Sequence, residues 1–175
     1  DGGDELFGGY DRYLQGQSLW RRLQSIPAPL RPIAAATFKM IPVSVWNALF
    51  TVLPATLTPG QKGNTMHWLA GNLTTSNFDA LFQRLVSTWN EPEILVPGAA
   101  EAVSPFWAGD AANGDTLERM MYLDSVTYLP DDIMAKLDRA SMAFGLEARE
   151  PLLDHRIFEF AWRLPENLKF RNGNG

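Results

Sequence analysis

The first ten residues of the chain combine acidic residues and glycines at a density that calls for a chemical explanation. They read DGGDELFGGY, with carboxylates at Asp1, Asp4 and Glu5 and four glycines. Glycines let backbone N–H groups approach an anion closely, and a turn entering a helix directs those donors and the positive end of the helix dipole at a phosphate. Carboxylates beside such a turn would repel phosphate unless a hard cation such as Mg²⁺ lay between them. The pattern therefore indicates nucleotide–Mg²⁺ chemistry, and a capped helix start without a ligand is the structural alternative.

A second cluster of charged residues lies near the other end of the chain. From Asp131 onward it reads DDIMAKLDRASMAFGLEAREPLLDH. Asp131, Asp138 and Arg139 could line a cleft while the apolar residues between them pack, or they could form a solvated charged face. Glu147 and Arg149 follow a glycine that should end a helix, and charges in that position often pair to fix a loop.

The cysteine and histidine content and the net charge exclude several classes of function. The chain has no cysteine and two histidines, so it offers no disulfide, thiolate nucleophile or Cys-ligated zinc site. His67 and His155 lie in no metal-binding or triad spacing, and structural roles are predicted for both. Fifteen Lys and Arg against twenty Asp and Glu give a net charge of −5, so nucleic acid is not an expected partner. The absence of cysteine favours a cytoplasmic location.

The most apolar region, residues 30–54, does not read as a membrane span. Charges and prolines interrupt it well before the roughly 18 uninterrupted apolar residues that a span requires. A helix lying on a membrane surface there is a weaker alternative. The length of 175 residues, with 46% hydrophobic residues, predicts one partial globular domain covering residues 1–175.

Apolar periodicity predicts a mainly helical chain. One buried face is formed by Phe78, Leu81, Phe82, Leu85, Val86 and Trp89, with Ser76 or Asn77 as the cap. A second helix has a buried face of Ile133, Met134, Leu137, Ala140, Ser141 and Phe144, with Asp131 and Asp132 in its first turn after Pro130. A third is capped by Asp154, buries Ile157, Phe158, Ala161 and Trp162, and stops at Pro165.

Shorter helices are predicted where proline and glycine punctuate the rest of the chain. Their approximate ranges are 4–25, 29–40, 43–53, 62–71 and 116–128. A strand is hinted at only over residues 93–96, and residues 91–115 read as a long loop or hinge.

Taken together, the two charged blocks resemble the synthetase domain of glutamine-hydrolysing asparagine synthetases. The resemblance lies in residues 1–10 and 138–155, and it continues through residues 164–169 to the NGNG sequence of residues 172–175. It implies that this chain is the helical C-terminal part of an α/β ATP-pyrophosphatase (adenine nucleotide α-hydrolase-like) synthetase domain. In that family ATP and aspartate with Mg²⁺ form β-aspartyl-AMP and pyrophosphate, and ammonia from a glutaminase domain of the same parent chain then displaces AMP.

The resemblance also implies roles for individual residues in the first block. Asp4 matches the acid near Mg²⁺ and pyrophosphate, and Gly2 and Gly3 match the close-packed turn at the nucleotide. Asp1 stands where well-known members carry a glutamate associated with deprotonating the ammonia-derived nitrogen. Aspartate is one methylene shorter, so we expect a bridging water between Asp1 and that nitrogen.

Departures from the family pattern set the remaining expectations. The Ser-Gly-Gly-x-Asp-Ser pyrophosphate loop is absent from these 175 residues, so we expect them to be inactive alone. Related amidating enzymes of polysaccharide, peptide or β-lactam pathways share much of the pattern, which leaves the carboxylate acceptor open. Asp138, Arg139, Glu147 and Arg149 match motif positions without an assigned role. A homodimer of the parent protein is a further possibility.

A different class of function also fits the composition. Trp20, Trp46, Trp68 and Trp107 could lie on exposed apolar patches of a non-catalytic helical interaction module. Asp1 and Asp4 argue against this hypothesis, because a pure scaffold has no evident need for acids beside a glycine turn.

Overall fold

The described part of the chain is helical and contains no strand. A computed structural model describes residues 1–52, 62–87, 89, 92–99 and 115–170. Its α-helices are α1 (Gly3–Phe7), α2 (Asp11–Gln24), α3 (Arg31–Met40), α4 (Val43–Val52), α5 (Lys62–Asn72), α6 (Phe78–Val86), α7 (Pro92–Leu95), α8 (Thr116–Val126), α9 (Ala135–Met142), α10 (His155–Arg163) and α11 (Glu166–Lys169). A π-helical turn, Leu129–Met134, precedes α9, and 3₁₀ turns occur at Ala28–Leu30 and Pro151–Leu153. The predicted mainly helical character is confirmed.

The chain divides into two compact units. One consists of Asp1–Gln17 and Leu85–Gly175, and the other of Ser18–Arg84. In the second unit α3 and α4 both pack against α5, and the Nε2 atom of His67 lies 2.7 Å from the Ile41 carbonyl oxygen. That contact confirms the structural role predicted for His67.

The first unit positions the acidic N-terminal block. Helix α1 packs against α8 and against α10, and α8 also contacts the π-helical turn that follows it. The buried apolar side chains of this unit are Leu6, Tyr13, Leu117, Met120, Met121, Leu123, Leu129 and Ala161. Burial of these residues anchors the short α1, which at five residues is too short to be stable by itself.

Helix ends follow the predicted capping chemistry. Asn77 Oδ1 accepts from the Ala80 N–H at 2.8 Å at the start of α6, and Asp154 Oδ1 accepts from the Arg156 N–H at 2.9 Å at the start of α10. The bond to the Arg156 N–H and the contact of Asp154 with the Arg156 guanidinium hold the pKa of Asp154 below its usual range. Helix α10 ends at Arg163, two residues before Pro165, as predicted.

Several helical predictions need correction at their edges. The helix predicted over residues 4–25 is two helices, because Gly8 adopts a φ of +75° and bends the chain between them. Trp89 lies beyond the end of α6 and Phe144 beyond the end of α9, and both side chains are exposed. The predicted buried faces are also wrong in part within the helices, since Val86 of α6 and Ile157 of α10 are exposed and α9 has no buried residue. The strand hinted at over residues 93–96 is wrong, because Pro92 starts a short helix there.

Some predictions concern residues outside the part of the chain that the structure describes. The long loop over residues 91–115 includes α7, and residues 100–114 lie outside the described part, as does the NGNG sequence. No single helix among the described residues is long and apolar enough to cross a membrane. One bent pair, Ala28–Met40 and Val43–Thr51, passes that test by length and composition only, and its two helices meet at 87°.

Candidate functional site

The structure brings the two charged sequence blocks together. Gly2, in the first block, packs against the side chains of Leu152 and Leu153, in the second block. These contacts join residues separated by about 150 positions in the sequence. The 3₁₀ turn Pro151–Leu153 therefore forms the support on which the glycine turn lies.

Gly2 is required at its position by backbone conformation and by space. It caps α1 with a φ of +91°, a left-handed conformation that residues with a Cβ rarely adopt. A Cβ at this position would lie 2.5 Å from Leu153 Cδ2. The turn at Gly2 is closely packed, and its packing partner is Leu153.

Replacement of Gly2 tests this packing directly. We expect Gly2→Ala to lower the free energy of unfolding by about 2–4 kcal/mol, since it adds both backbone strain and an overlap with Leu153. Gly3→Ala is the matched control, because Gly3 lies inside α1 and its added Cβ would be 3.4 Å from Leu152 Cδ1. Urea unfolding of both variants in the full-length protein measures the difference. Equal losses of stability in the two variants would contradict the prediction.

Asp4 lies in the first turn of α1, and its exposed carboxylate lies close to Gly9. No described lysine or arginine lies within ion-pair distance of it. A Cβ at Gly9 would overlap with Asp4 Oδ1, so the absence of a side chain at Gly9 provides the space that the carboxylate occupies. A carboxylate oxygen of this kind is the ligand type that hard cations prefer. Among the described residues, no three His, Asp or Glu side chains converge as a metal-binding group.

Glu5, beside Asp4, faces the protein interior. Its side chain is 1% exposed, and Oε1 accepts from the Tyr10 hydroxyl at 2.7 Å. Burial, together with this bond and the charge of Glu5, raises the pKa of Tyr10. The tyrosine hydroxyl therefore keeps its proton and acts as a donor to Glu5. Sequence reasoning missed this pair, because a Glu followed five residues later by a Tyr has no recognised spacing.

A buried ion pair lies on the other side of Tyr10. Arg12 Nη2 is 2.8 Å from Asp124 Oδ2, and the Asp124 side chain is 2% exposed. Burial raises the pKa of Asp124, and the positive charge of Arg12 opposes that effect. The Arg12 guanidinium also lies over the rings of Tyr10 and Tyr128, with its Cζ 4.1 and 4.4 Å from their centroids. This pair also escaped the sequence analysis, since its partners are 112 residues apart.

The charged residues of the second block lie at the surface. Glu147 and Arg149 form an exposed ion pair at 3.2 Å, as expected for a loop-fixing pair. Asp138 and Arg139 are exposed on α9, and His155 is exposed beside Asp154. Of the tryptophans named for an exposed apolar patch, Trp68 is exposed, whereas Trp46 is 8% exposed, so the hypothesis is wrong for Trp46. Trp107 lies outside the described residues.

Comparison with known proteins supports the resemblance seen in the sequence. The family model for asparagine synthase matches residues 1–175. A Mycobacterium tuberculosis H37Rv protein, whose name assigns it provisionally to the glutamine-hydrolysing asparagine synthetases, is 31% identical over 170 residues, covering 97% of this chain and 24% of that protein. Asparagine synthetase (glutamine-hydrolysing) 1 of Bacillus subtilis is 28% identical over 173 residues, covering 99% of this chain and 25% of that protein. No solved structure matches this chain.

These matches, with the acidic glycine turn on its helical support, place the chain in a ligase-type family of enzymes. The chain belongs to the asparagine synthase family, and the resemblance is confirmed. It spans about a quarter of the length of the curated relatives it matches.

Proposed function

We propose that this chain is the helical C-terminal part of an ATP-pyrophosphatase-type synthetase domain that makes asparagine. In the proposed reaction the side-chain carboxylate of aspartate attacks the α-phosphorus of ATP, and pyrophosphate leaves to give β-aspartyl-AMP. Ammonia released from glutamine by a glutaminase domain of the parent chain then attacks the acyl carbon. AMP leaves with the bonding electrons, and a base takes a proton from the new amide nitrogen.

One observation carries this proposal. The two family blocks meet at Gly2 and Leu153, and the meeting leaves the Asp4 carboxylate exposed and without a described cationic partner. We infer that Asp4, and the turn of Gly2 and Gly3, hold the Mg²⁺-bound pyrophosphate end of ATP. When bound, Mg²⁺ would supply charge neutralisation at the phosphates. Asp4 would contribute one carboxylate ligand to the Mg²⁺ ion and so orient the pyrophosphate group that the ion holds.

Asp1 is proposed as the base for the amidation step. Its side chain is 45% exposed, so the carboxylate has access to a bound acceptor. Because an aspartate side chain is short, the proton passes to Asp1 through a bridging water. General base catalysis of this kind contributes typically 10²–10⁴-fold to a rate.

This assignment predicts a separation of the two half-reactions. Asp1→Asn is expected to lower the rate of asparagine formation by about 10²-fold. It should leave aspartate-dependent exchange of labelled pyrophosphate into ATP nearly unchanged, because adenylation does not need the base. Asp1→Glu, which restores the family residue, should retain amidation. Equal losses of exchange and amidation in Asp1→Asn would refute the assignment.

The reaction itself is tested in the full-length protein that contains these residues. AMP and pyrophosphate release from Mg²⁺-ATP is measured with glutamine or ammonia, across aspartate and other carboxylate acceptors. Release that requires aspartate and yields asparagine supports the proposal. Release only with a different carboxylate would assign a related amidotransferase instead, and no release with any acceptor would favour the interaction module.

A further inference from the structure

The short helix that carries Asp4 depends on contacts outside itself for its orientation. Helix α1 has five residues, and isolated helices of this length are not stable in water. Adjacent residues on a helix differ by about 100° in direction, so the angle between the exposed Asp4 and the buried Glu5 is fixed by the helix. Rotation of α1 about its axis would move both side chains together. Together with the packing of α1 against α8 and α10, the group that holds the Glu5 carboxylate therefore helps to set the direction of Asp4.

The Tyr10 hydroxyl is the described group that holds Glu5. It donates to Glu5 Oε1 at 2.7 Å across the bend formed by Gly8 and Gly9. A hydrogen bond to a charged carboxylate is short and roughly twice as strong as a neutral one. It closes the loop between the end of α1 and the start of α2.

The ring of Tyr10 is itself fixed by its neighbours. It meets the rings of Tyr13 and Tyr128 edge to face, with centroids 5.5 and 5.9 Å away. Its face is covered by the Arg12 guanidinium, which is anchored in turn by the buried Asp124. The hydroxyl therefore has little freedom to leave Glu5.

We propose that Tyr10 is a positioning residue for metal–pyrophosphate binding, which acts by bonding Glu5 and so orienting Asp4. The inference rests on the proposed function, and it deepens that function by adding a residue that touches neither substrate nor metal. Removal of the hydroxyl frees Glu5, and the Asp4 carboxylate then populates directions that do not ligate the metal. Removal of a residue that orients a metal ligand typically lowers metal affinity by 10–100-fold, and we expect a loss of affinity in that range here.

The chain offers a matched pair of variants. Tyr10→Phe removes the hydroxyl bonded to Glu5 and keeps the ring that stacks on Arg12. Tyr128→Phe makes the same chemical change in the other ring that stacks on Arg12, and no described residue bonds to its hydroxyl. Any effect of a lost hydroxyl on packing near Arg12 is therefore common to both variants.

The measurement is calorimetric titration of Mg²⁺-pyrophosphate into the full-length protein, followed by the Mg²⁺ dependence of AMP formation. We expect Tyr10→Phe to raise the dissociation constant and the half-saturating Mg²⁺ concentration roughly tenfold. Tyr128→Phe should stay within about twofold of wild type. Equal shifts in the two variants, or no shift in Tyr10→Phe, would overturn the inference while leaving the proposed function intact.

A double-mutant cycle with Glu5→Gln keeps the test valid if Tyr10→Phe loses stability. If the hydroxyl acts through Glu5, the Tyr10→Phe and Glu5→Gln double variant should bind Mg²⁺-pyrophosphate about as well as the weaker single variant. Additive losses would overturn the inference. Wild-type protein that neither binds Mg²⁺-pyrophosphate nor forms AMP with any carboxylate would refute the proposed function, and the inference with it.

Discussion

Replacement of Asp4 with asparagine is expected to lower the rate of AMP and pyrophosphate formation by about 10²–10³-fold in the full-length protein. That range is typical for removal of one group that stabilises charge in a transition state. Asparagine has nearly the shape of aspartate and would occupy the space beside Gly9 without overlap. It lacks the negative charge that a hard cation requires, so the rate falls without a change in packing.

Asp11→Asn is the matched control for that experiment. Asp11 is an exposed carboxylate in the first turn of α2, seven positions from Asp4, and the change alters net charge by the same amount. It should leave the rate within about twofold, because a single exposed charge contributes little at physiological salt. A similar fall in both variants would show that general charge near the turn, rather than a ligand at Asp4, controls the reaction.

Asp124→Asn is expected to cause the largest loss of stability among single charge-neutralising changes in the first unit. Asp124 is 2% exposed and pairs with Arg12 at 2.8 Å. Removal of one partner leaves the other charge partly buried without compensation, which typically costs about 3–5 kcal/mol. The decrease in stability should be largest in α2 and α8, because the ion pair joins these two helices.

Hydrogen exchange of peptides from α2 and α8 in the full-length protein measures this loss. Asp132→Asn is the control, because Asp132 also forms a 2.7 Å ion pair, with Lys136, at an exposed site. Exposed pairs of this kind contribute little, so exchange in Asp132→Asn should stay close to wild type. Faster exchange of the same size in both variants would contradict the role assigned to burial.

Local sequence patterns predicted much of the helical framework. Asn77 and Asp154 cap the helices for which they were named, and Leu81 and Phe82 lie on the buried face of α6 as their spacing indicated. These predictions succeeded because helix caps and apolar periodicity depend on residues within one or two turns. They failed at Phe144, which lies beyond the end of α9, and at Ile157, which is exposed within α10. Periodicity has meaning only while the helix continues, and it does not show whether another element covers the apolar face.

The sequence predicted the kind of site, but it did not predict the contacts that its residues make. The acids and glycines of residues 1–10 identified the turn, and the two blocks together identified the family. The reason for Gly2 was not visible, because its overlap partner, Leu153, is about 150 positions away in the sequence. Neither was the inward direction of Glu5, since two adjacent acids look equivalent until packing buries one of them.

The sequence by itself therefore determined the helical class, the helix caps, the acidic glycine turn and membership of the asparagine synthase family. Only the tertiary structure decided which carboxylate is free and which is held. Asp4 is left exposed, Glu5 is bound by Tyr10, and Asp124 is paired with Arg12. The physical reason is that a carboxylate's role depends on burial and on partners from other helices, which local sequence spacing does not specify.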